Sequence, residues 1–261
     1  MRTAVLIPVY NNASGLNETL RSLTDEALPL DIIVVDDGSS PPVRMPTTAG
    51  EHAIFLLRRE NNGGIANALN TGVDYCISQA YPFVARLDAS DVILPGRLAM
   101  QLAFLRSHPN CGVVSSFVDF FDNHGQYAFT YRVPTTHRAI RRRLFLNNCL
   151  VHSSAMFRTE VFTNVGGYNT ALKATEDYEL FLRIAERYDL AVIPEVLTKC
   201  KYDTRGISVS LRHRQQRERL RVQMKYFNGV CPASYLGLLR TLLAMITPHA
   251  VVRWYKQRYL R

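Results

Sequence analysis

The sequence predicts an α/β protein built on an open, mostly parallel central sheet with helices on both faces. Three observations predict it. Over the first 107 residues strand-like and helix-like patterns alternate, in the order βαβ, connection, βαβα. The strand segments are continuous apolar runs, which suits strands covered on both sides. Loops rich in Asp, Asn, Gly and Ser follow these runs, at the strand ends where open α/β sheets bind ligands.

Each element has its own signal. Thr3-Ala-Val-Leu-Ile-Pro-Val9 reads as the first strand. Leu16, Leu20, Leu23 and Ala27 then recur at helical spacing, and Pro29 stops that helix. Ile32 to Asp36 is a second buried strand, followed by an Asp37-Gly-Ser-Ser-Pro-Pro turn. Residues 41–52 form an aperiodic connection, and Ala53 to Leu57 is a third strand. After the loop Asn61-Asn-Gly-Gly64, a helix sets Leu69, Val73, Cys76 and Ile77 on one face. Phe83 to Leu87 is the fourth strand. Pro95 opens a helix with Leu98, Leu102 and Leu105 at helical spacing.

Beyond it the pattern changes. Cys111 to Phe121 is a strand, and Asp122-Asn-His-Gly125 a hairpin turn. Arg138 to Phe145 is a short basic helix, and Ser153 to Arg158 a short strand. Thr175 caps a helix whose first residues, Glu176 and Asp177, suit its dipole. Leu190–Ile193 and Val196–Tyr202 are two last strands. The chain then divides into a main domain, 1–205, and a basic helical extension, 206–261.

Composition narrows the function classes. Of the net charge of +9, the segment Lys199 to Arg261 holds 14 Lys and Arg against 2 acids, while the first 198 residues are slightly acidic. A nucleic-acid channel along the main domain is disfavoured, and the basic tail is expected to meet something anionic. With Trp254, Tyr255 and Tyr259 beside Arg253, Lys256, Arg258 and Arg261, an anionic membrane surface fits best. No run of eighteen apolar residues appears, and the segment from Tyr235 to Ile246 is too short to span a bilayer. Five scattered cysteines form no C-x-x-C, and the first strand begins without a leader-like apolar segment. A cytoplasmic protein, peripheral on the membrane, is the expectation.

Four constellations carry candidate chemistry. Pro8 and Tyr10 at one strand end, with Asp37 at the next, offer an aromatic face and an acid to a nucleoside; a plain Asx turn accounts for the same residues. Asn62 and Gly63, with Asn67 in the following helix, would leave N–H groups free for an anion or a sugar hydroxyl, or form an ordinary helix entry. Asp88-Ala-Ser90-Asp91 presents oxygens suited to Mg2+ or Mn2+ and hence to a diphosphate, or caps a helix. Glu176 and Asp177 supply a general base, or merely complement a helix dipole. His152 is a candidate polar group for an acceptor. Neither G-x-G-x-x-G after the first strand nor G-x-x-x-x-G-K-[ST] is present.

The order of these motifs is more specific than any one. Ile7-Pro-Val-Tyr-Asn11, Val34-Val-Asp-Asp-Gly-Ser39, Asn62 to Asn70, Arg86-Leu-Asp-Ala-Ser-Asp91 with Leu94 to Leu98, Gly166-Gly-Tyr168 and Glu176-Asp-Tyr-Glu-Leu180 form one series. Over about residues 3–205 it resembles the family 2 glycosyltransferases, with the GT-A nucleotide-diphospho-sugar transferase fold. The resemblance implies inverting transfer of a sugar from a nucleotide-sugar donor, first of all a UDP-sugar, to a glycan or lipid-linked acceptor hydroxyl in polysaccharide, lipopolysaccharide or other glycoconjugate synthesis. It implies that Pro8, Tyr10 and Asp37 hold the nucleobase and that Asp88 meets the diphosphate. It also implies that Asp177 is the base, with Glu176 beside it. The family's acidic motif carries an acid where this chain has Ser90, so Asp88, Ser90 and Asp91 together are expected to hold the Mg2+ or Mn2+. The competing readings are a non-catalytic sugar-nucleotide or carbohydrate-binding module and a sugar nucleotidyltransferase.

Overall fold

β1 (Thr3–Val9) is buried along its whole length, and the sheet grows from it in both directions. The computed structural model describes residues 2–202 and 212–247. On one side β1 pairs in parallel with β2 (Leu30–Asp36), which pairs in parallel with β4 (His52–Arg58). The two-residue β3 (Thr48–Ala49) closes that edge antiparallel. On the other side β1 pairs in parallel with β5 (Phe83–Arg86). Beyond β5 come β9 (Met156–Arg158), β7 (Cys111–Phe121), β10 (Asp189–Lys201) and β6 (Val92–Ile93), with β8 (Tyr127–Tyr131) forming the expected hairpin on β7.

The α/β class and the helices on both faces stand, but the sheet is mixed. β9 runs antiparallel to β5 and β7, so parallel pairing breaks at β5 and resumes between β7 and β10. The alternation within β1 divides the core. Ala4 and Leu6 pack on the face covered by α2 (Ile65–Ser78), α5 (Thr159–Val165) and α6 (Glu176–Ile184). Val5, Ile7 and Val9 pack on the face covered by α1 (Ala13–Arg21) and α3 (Arg97–Ser107). Period-two alternation between two apolar layers is why β1 reads as an unbroken apolar run.

Local departures from expectation have local causes. α1 ends at Arg21, short of Ala27: the Ser22 and Thr24 hydroxyls bond back to Thr19 and Arg21 carbonyls, and the chain tightens into three-residue turns. Leu23 stays buried on that turn. α3 starts at Arg97 rather than Pro95, after Gly96 in the left-handed region. Ile77 lies on the exposed side of α2. The two last strands are one, β10, whose register against β7 shifts around Pro194, a residue that cannot donate to the ladder. Thr175 precedes α6 but makes no capping bond; its hydroxyl donates to Glu218 at 3.3 Å.

Behind the sheet lie α4 (His137–Leu146), α7 (Arg212–Lys225) and α8 (Pro232–Ile246). Val222 of α7 enters the main core, and α8 packs on α4 and α7. Trp254, Tyr255, Tyr259 and the basic residues around them lie outside the described residues. Among the described residues no helix is long and apolar enough to cross a membrane.

Candidate active site

Parallel pairing places the C-terminal ends of β2, β1 and β5 side by side. The loops after them open on one edge of the sheet. Tyr10 leaves β1 there and is half exposed. Asp37 follows β2, its N–H bonded to the Val9 carbonyl at 2.9 Å. Asp88 follows β5, its N–H donating to Ser153 Oγ at 3.0 Å.

Asp36 and Asp37 are neighbours with separate tasks. Buried Asp36 accepts from the Ser39 and Val43 N–H groups at 2.9 and 3.2 Å and pairs with Arg58 at 2.7 Å. Burial pushes its carboxyl upward, but those bonds and the Arg58 charge outweigh it and hold the group below its ordinary value. Asp37 accepts from the N–H groups of Gly63 and Gly64 at 3.0 and 2.8 Å, and Arg59 Nε lies 2.8 Å away. The glycine turn therefore does not leave those N–H groups free for a ligand: Asp37 takes them. Gly64 needs its lack of a side chain, having φ +86 at the entry to α2. Asn67 completes the turn by donating to the Gly63 carbonyl at 2.8 Å, and Asn62 stands exposed on it. Pro8 is buried inside β1.

A cavity of about 370 Å3 lies beside this edge, walled by the β5 end, the segment 148–152, the start of α6 and one face of α7. Asp88, His152, Glu176 and Asp177 line it; Pro8, Tyr10, Asp37, Asn62, Gly63 and Asn67 do not. Arg86, almost fully enclosed, is the cation at its base, paired with the half-exposed Asp88. Its Nε has no hydrogen-bond partner among the described residues.

The two acids at the start of α6 are not equivalent. Glu176 is buried, and its Oε2 has no hydrogen-bond partner among the described residues. Burial and the neighbouring Asp177 charge push its carboxyl up to about 8, so it is protonated at neutral pH. Burial also raises Asp177, but the Tyr178 N–H at 2.6 Å, the charge of Arg86 and the Asn148 amide at 2.8 Å oppose it. Of two carboxyls that disfavour joint ionisation, Asp177 is the one built to carry the charge. His152 is neutral: burial, then the Arg86 charge, hold it well below its ordinary value, and Nε2 lies 2.8 Å from the Tyr168 hydroxyl.

The three expected metal ligands do not converge. Ser90 has φ +91, and its hydroxyl is turned to α1, where Asn12 Nδ2 bonds it at 3.1 Å. Asp91 is buried and accepts from the Lys201 N–H at 3.0 Å. Burial and the Asp88 charge raise its carboxyl to about 6. Of these three, only Asp88 lines the cavity. Among the described residues no group of three His, Cys, Asp or Glu could hold a metal ion. One open carboxylate still suits a hard cation that takes its other oxygens from substrate phosphates and water.

Sequence reasoning missed several residues of this cavity. Asn148 had a weak local signal, as half of a polar pair before an apolar run. Lys173 and Arg219 had none: Lys173 reaches the Gly63 carbonyl at 3.2 Å, and Arg219 comes from α7, beyond the motif series.

Comparisons with known proteins agree with this geometry. The sequence model of the family described as "Glycosyl transferase family 2" matches residues 4–166. The amylovoran biosynthesis glycosyltransferase AmsE of Erwinia amylovora is 32% identical over 205 residues, covering 76% of this chain and 75% of its own. Staphylococcus aureus TarS 1-349, solved with UDP-GlcNAc, superposes with a TM-score of 0.68 at 17% identity, over 99% of this chain and 76% of that one. The mannosyltransferase PcManGT of Pyrobaculum calidifontis, solved with GDP-Man and Mn2+, gives 0.64 at 20% identity, over 98% and 75%. At such identities the structural likeness speaks for the fold, which is GT-A.

Proposed function

The chain belongs to glycosyl transferase family 2, and from that premise we propose an inverting transfer in which Asp177 is the general base. It is a glycosyltransferase; the donor, acceptor and residue roles that follow are our reading. The observation that carries it is the unequal pair at the start of α6. Glu176 is held neutral and Asp177 is supplied with hydrogen bonds to its charged form, at the wall of the cavity that Asp88 also lines.

In the proposed step the acceptor oxygen attacks the anomeric carbon from the face opposite the leaving group. The bond from that carbon to the diphosphate oxygen breaks, and the hydroxyl proton passes to the Asp177 carboxylate. A neutral Glu176 spares the pocket a second negative charge beside an anionic donor. Lys173 and Arg219, also in the cavity wall, favour the departing diphosphate. His152, uncharged, offers its ring to an acceptor hydroxyl. Tyr10 gives the nucleobase an exposed aromatic face, while Asp37 acts from behind by fixing the Gly63-Gly64 turn. Asp88 would hold a Mg2+ or Mn2+ with the donor's own diphosphate, where the cation neutralises charge on the leaving group.

A UDP-sugar is the proposed donor, and a glycan or lipid-linked hydroxyl in polysaccharide or related glycoconjugate synthesis the acceptor. The similarity to AmsE, an amylovoran biosynthesis glycosyltransferase, and the UDP-GlcNAc held by TarS support that choice. The proposed location is cytoplasmic and peripheral, with the basic tail toward an anionic membrane rather than nucleic acid.

The test is a panel of UDP- and GDP-sugars with glycan and lipid-linked acceptors, read by nucleoside diphosphate release and the anomeric configuration of the product. Asp177→Asn is expected to lose about 10²–10⁴-fold in transfer with donor affinity nearly intact. Transfer at the wild-type rate by that variant would overturn the base assignment. Consumption of added pyrophosphate, giving nucleoside triphosphate and sugar 1-phosphate without glycosylation of any acceptor, would favour a nucleotidyltransferase.

A further inference from the structure

α8 carries its side chains the wrong way round for a helix on a water-facing surface. Its small residues Ala233, Ser234, Gly237 and Thr241 are buried. Its large ones, Tyr235, Leu236, Leu239, Leu242, Leu243 and Ile246, are 48–77% exposed. Those six fall on one helical face. Surface helices of globular proteins do the reverse.

The orientation is fixed by contacts on the inner side. A Cβ added at Gly237 would stand 2.0 Å from the Phe145 carbonyl oxygen, so the helix sits as close to α4 as backbone allows. Thr241 donates to Gln223 Oε1 at 2.7 Å, and Gln223 in turn donates to the Leu146 carbonyl at 3.2 Å. The leucine face is thus held outward by two elements, α4 and α7, and rotating it inward would place leucines where only glycine fits.

The surroundings of this face say what covers it. α4, packed against α8, exposes Arg138, Arg141, Arg142 and Arg143. Arg240 of α8 is exposed as well. No Asp or Glu occurs from residue 123 to 159 or from 226 to 261. An apolar strip rimmed by arginines, on two helices that carry no acid, matches the boundary of an anionic bilayer, where acyl chains meet negative headgroups. A symmetric pairing of two copies would bring two such arginine rims together.

We infer that α8 docks in the plane of an anionic lipid surface, its leucine face in the acyl boundary and the arginines of α4 on the headgroups. α7 supplies Arg219 to the cavity and Gln223 to α8, so docking sets the cavity about one helix diameter, ~10 Å, from the lipid. The inference deepens the proposed lipid-linked acceptor, and its vesicle-binding test needs neither donor nor acceptor, so either reading can fail alone.

The full chain is sedimented with vesicles of phosphatidylcholine alone and of phosphatidylcholine mixed equally with phosphatidylglycerol. Binding is expected to the anionic vesicles and to weaken as salt shortens the screening length. Leu239→Glu with Leu243→Glu is expected to lower vesicle affinity at least tenfold, and Ile246→Glu, in the last turn, to lower it by itself. Arg141→Gln and Arg142→Gln are expected to lose about fivefold each. Nucleoside diphosphate release with a soluble acceptor should be unchanged in all of them. Wild-type vesicle affinity in the leucine variants would overturn the inference, as would a wild-type dimer that those variants convert to monomer without any vesicle binding.

Discussion

The side-chain amide of Asn148 donates a 2.8 Å hydrogen bond to Oδ2 of Asp177, whose Oδ1 accepts from the Tyr178 N–H. Asn148 lies on the segment after α4 and Asp177 on the first turn of α6. The bond stabilises the ionised carboxylate against a burial that favours the proton. Asn148→Ala is expected to raise the Asp177 pKa further. A hydrogen bond to a charged group contributes about 1.5–3 kcal/mol, so the acid limb of kcat/KM against pH should move up by about one to two units. Overlaid pH profiles for Asn148→Ala and wild type would show that Asn148 does not tune the base.

Glu176 makes stability depend on pH in a stated direction. Its carboxyl is raised from an ordinary 4.5 to about 8. Between those values the unfolded chain has lost the proton and the folded chain keeps it. Native stability from this group is therefore full below about pH 4.5 and is lost as pH rises through about 8. Glu176→Gln removes the titration. Thermal melts of the two proteins should be close near pH 5, and the wild type should fall progressively below Glu176→Gln toward pH 9. Parallel melting curves across that range would contradict the burial of an uncompensated acid.

Ser90 and Asp88 separate the two parts of the acidic motif. The Ser90 hydroxyl is turned to Asn12, while Asp88 faces the cavity. Ser90→Ala is expected to leave donor affinity and its response to Mn2+ within about twofold of wild type, the loss of one exposed-side hydrogen bond being ~1 kcal/mol at most in stability. Asp88→Asn is expected to abolish any Mn2+ response and weaken donor binding. Ser90→Gly should be stable, because φ +91 suits glycine. Titration of a nucleotide sugar by calorimetry, with and without Mn2+, checks the first two, and a thermal melt checks the third. A Mn2+ response lost in Ser90→Ala would return that residue to the metal site.

What the sequence makes legible follows from the range of the interaction. β1, β2 and β5 could be read because strands buried on both faces carry their own pattern, and the strand-end loops follow from them. Of the cavity residues, Asp88, Glu176 and Asp177 stood out because they lie at a strand end and a helix start within the motif series, and His152 as a lone polar group after Asn147-Asn148. Partnerships across the chain left no trace. Asp37 reads as a ligand-binding acid, yet it takes the Gly63 and Gly64 N–H groups, a pairing that only the β2–β4 geometry creates. Ser90 sits two residues from Asp88 in sequence, but a positive φ turns its hydroxyl to α1. The direction of α8 was equally hidden: its composition is apolar on every reading, and the contact of Gly237 with Phe145 decides which side faces out.

Glu218 ties the C-terminal helices to the loop before α6. From α7 its buried carboxylate accepts from the N–H groups of Lys173 and Ala174 at 3.1 and 3.0 Å, and from the Thr175 hydroxyl. Those three residues lead directly into Glu176 and Asp177. Arg214, one turn earlier on α7, pairs with Glu218 at 2.8 Å but is half exposed, so the backbone bonds are the larger part of the tie. Glu218→Ala would strand two backbone donors and leave the loop unanchored, at an expected loss of about 3–5 kcal/mol in unfolding free energy. Arg214→Ala should change it by under about 1 kcal/mol. If the loop is held from α7, Glu218→Ala should also lower kcat more than it raises the donor KM, since the base moves while the nucleotide edge at Tyr10 and Asp37 is untouched. Urea denaturation and steady-state kinetics of the two variants, run side by side, separate this from a merely local packing defect. Equal effects of Glu218→Ala and Arg214→Ala would mean that α7 contributes a surface ion pair and nothing more.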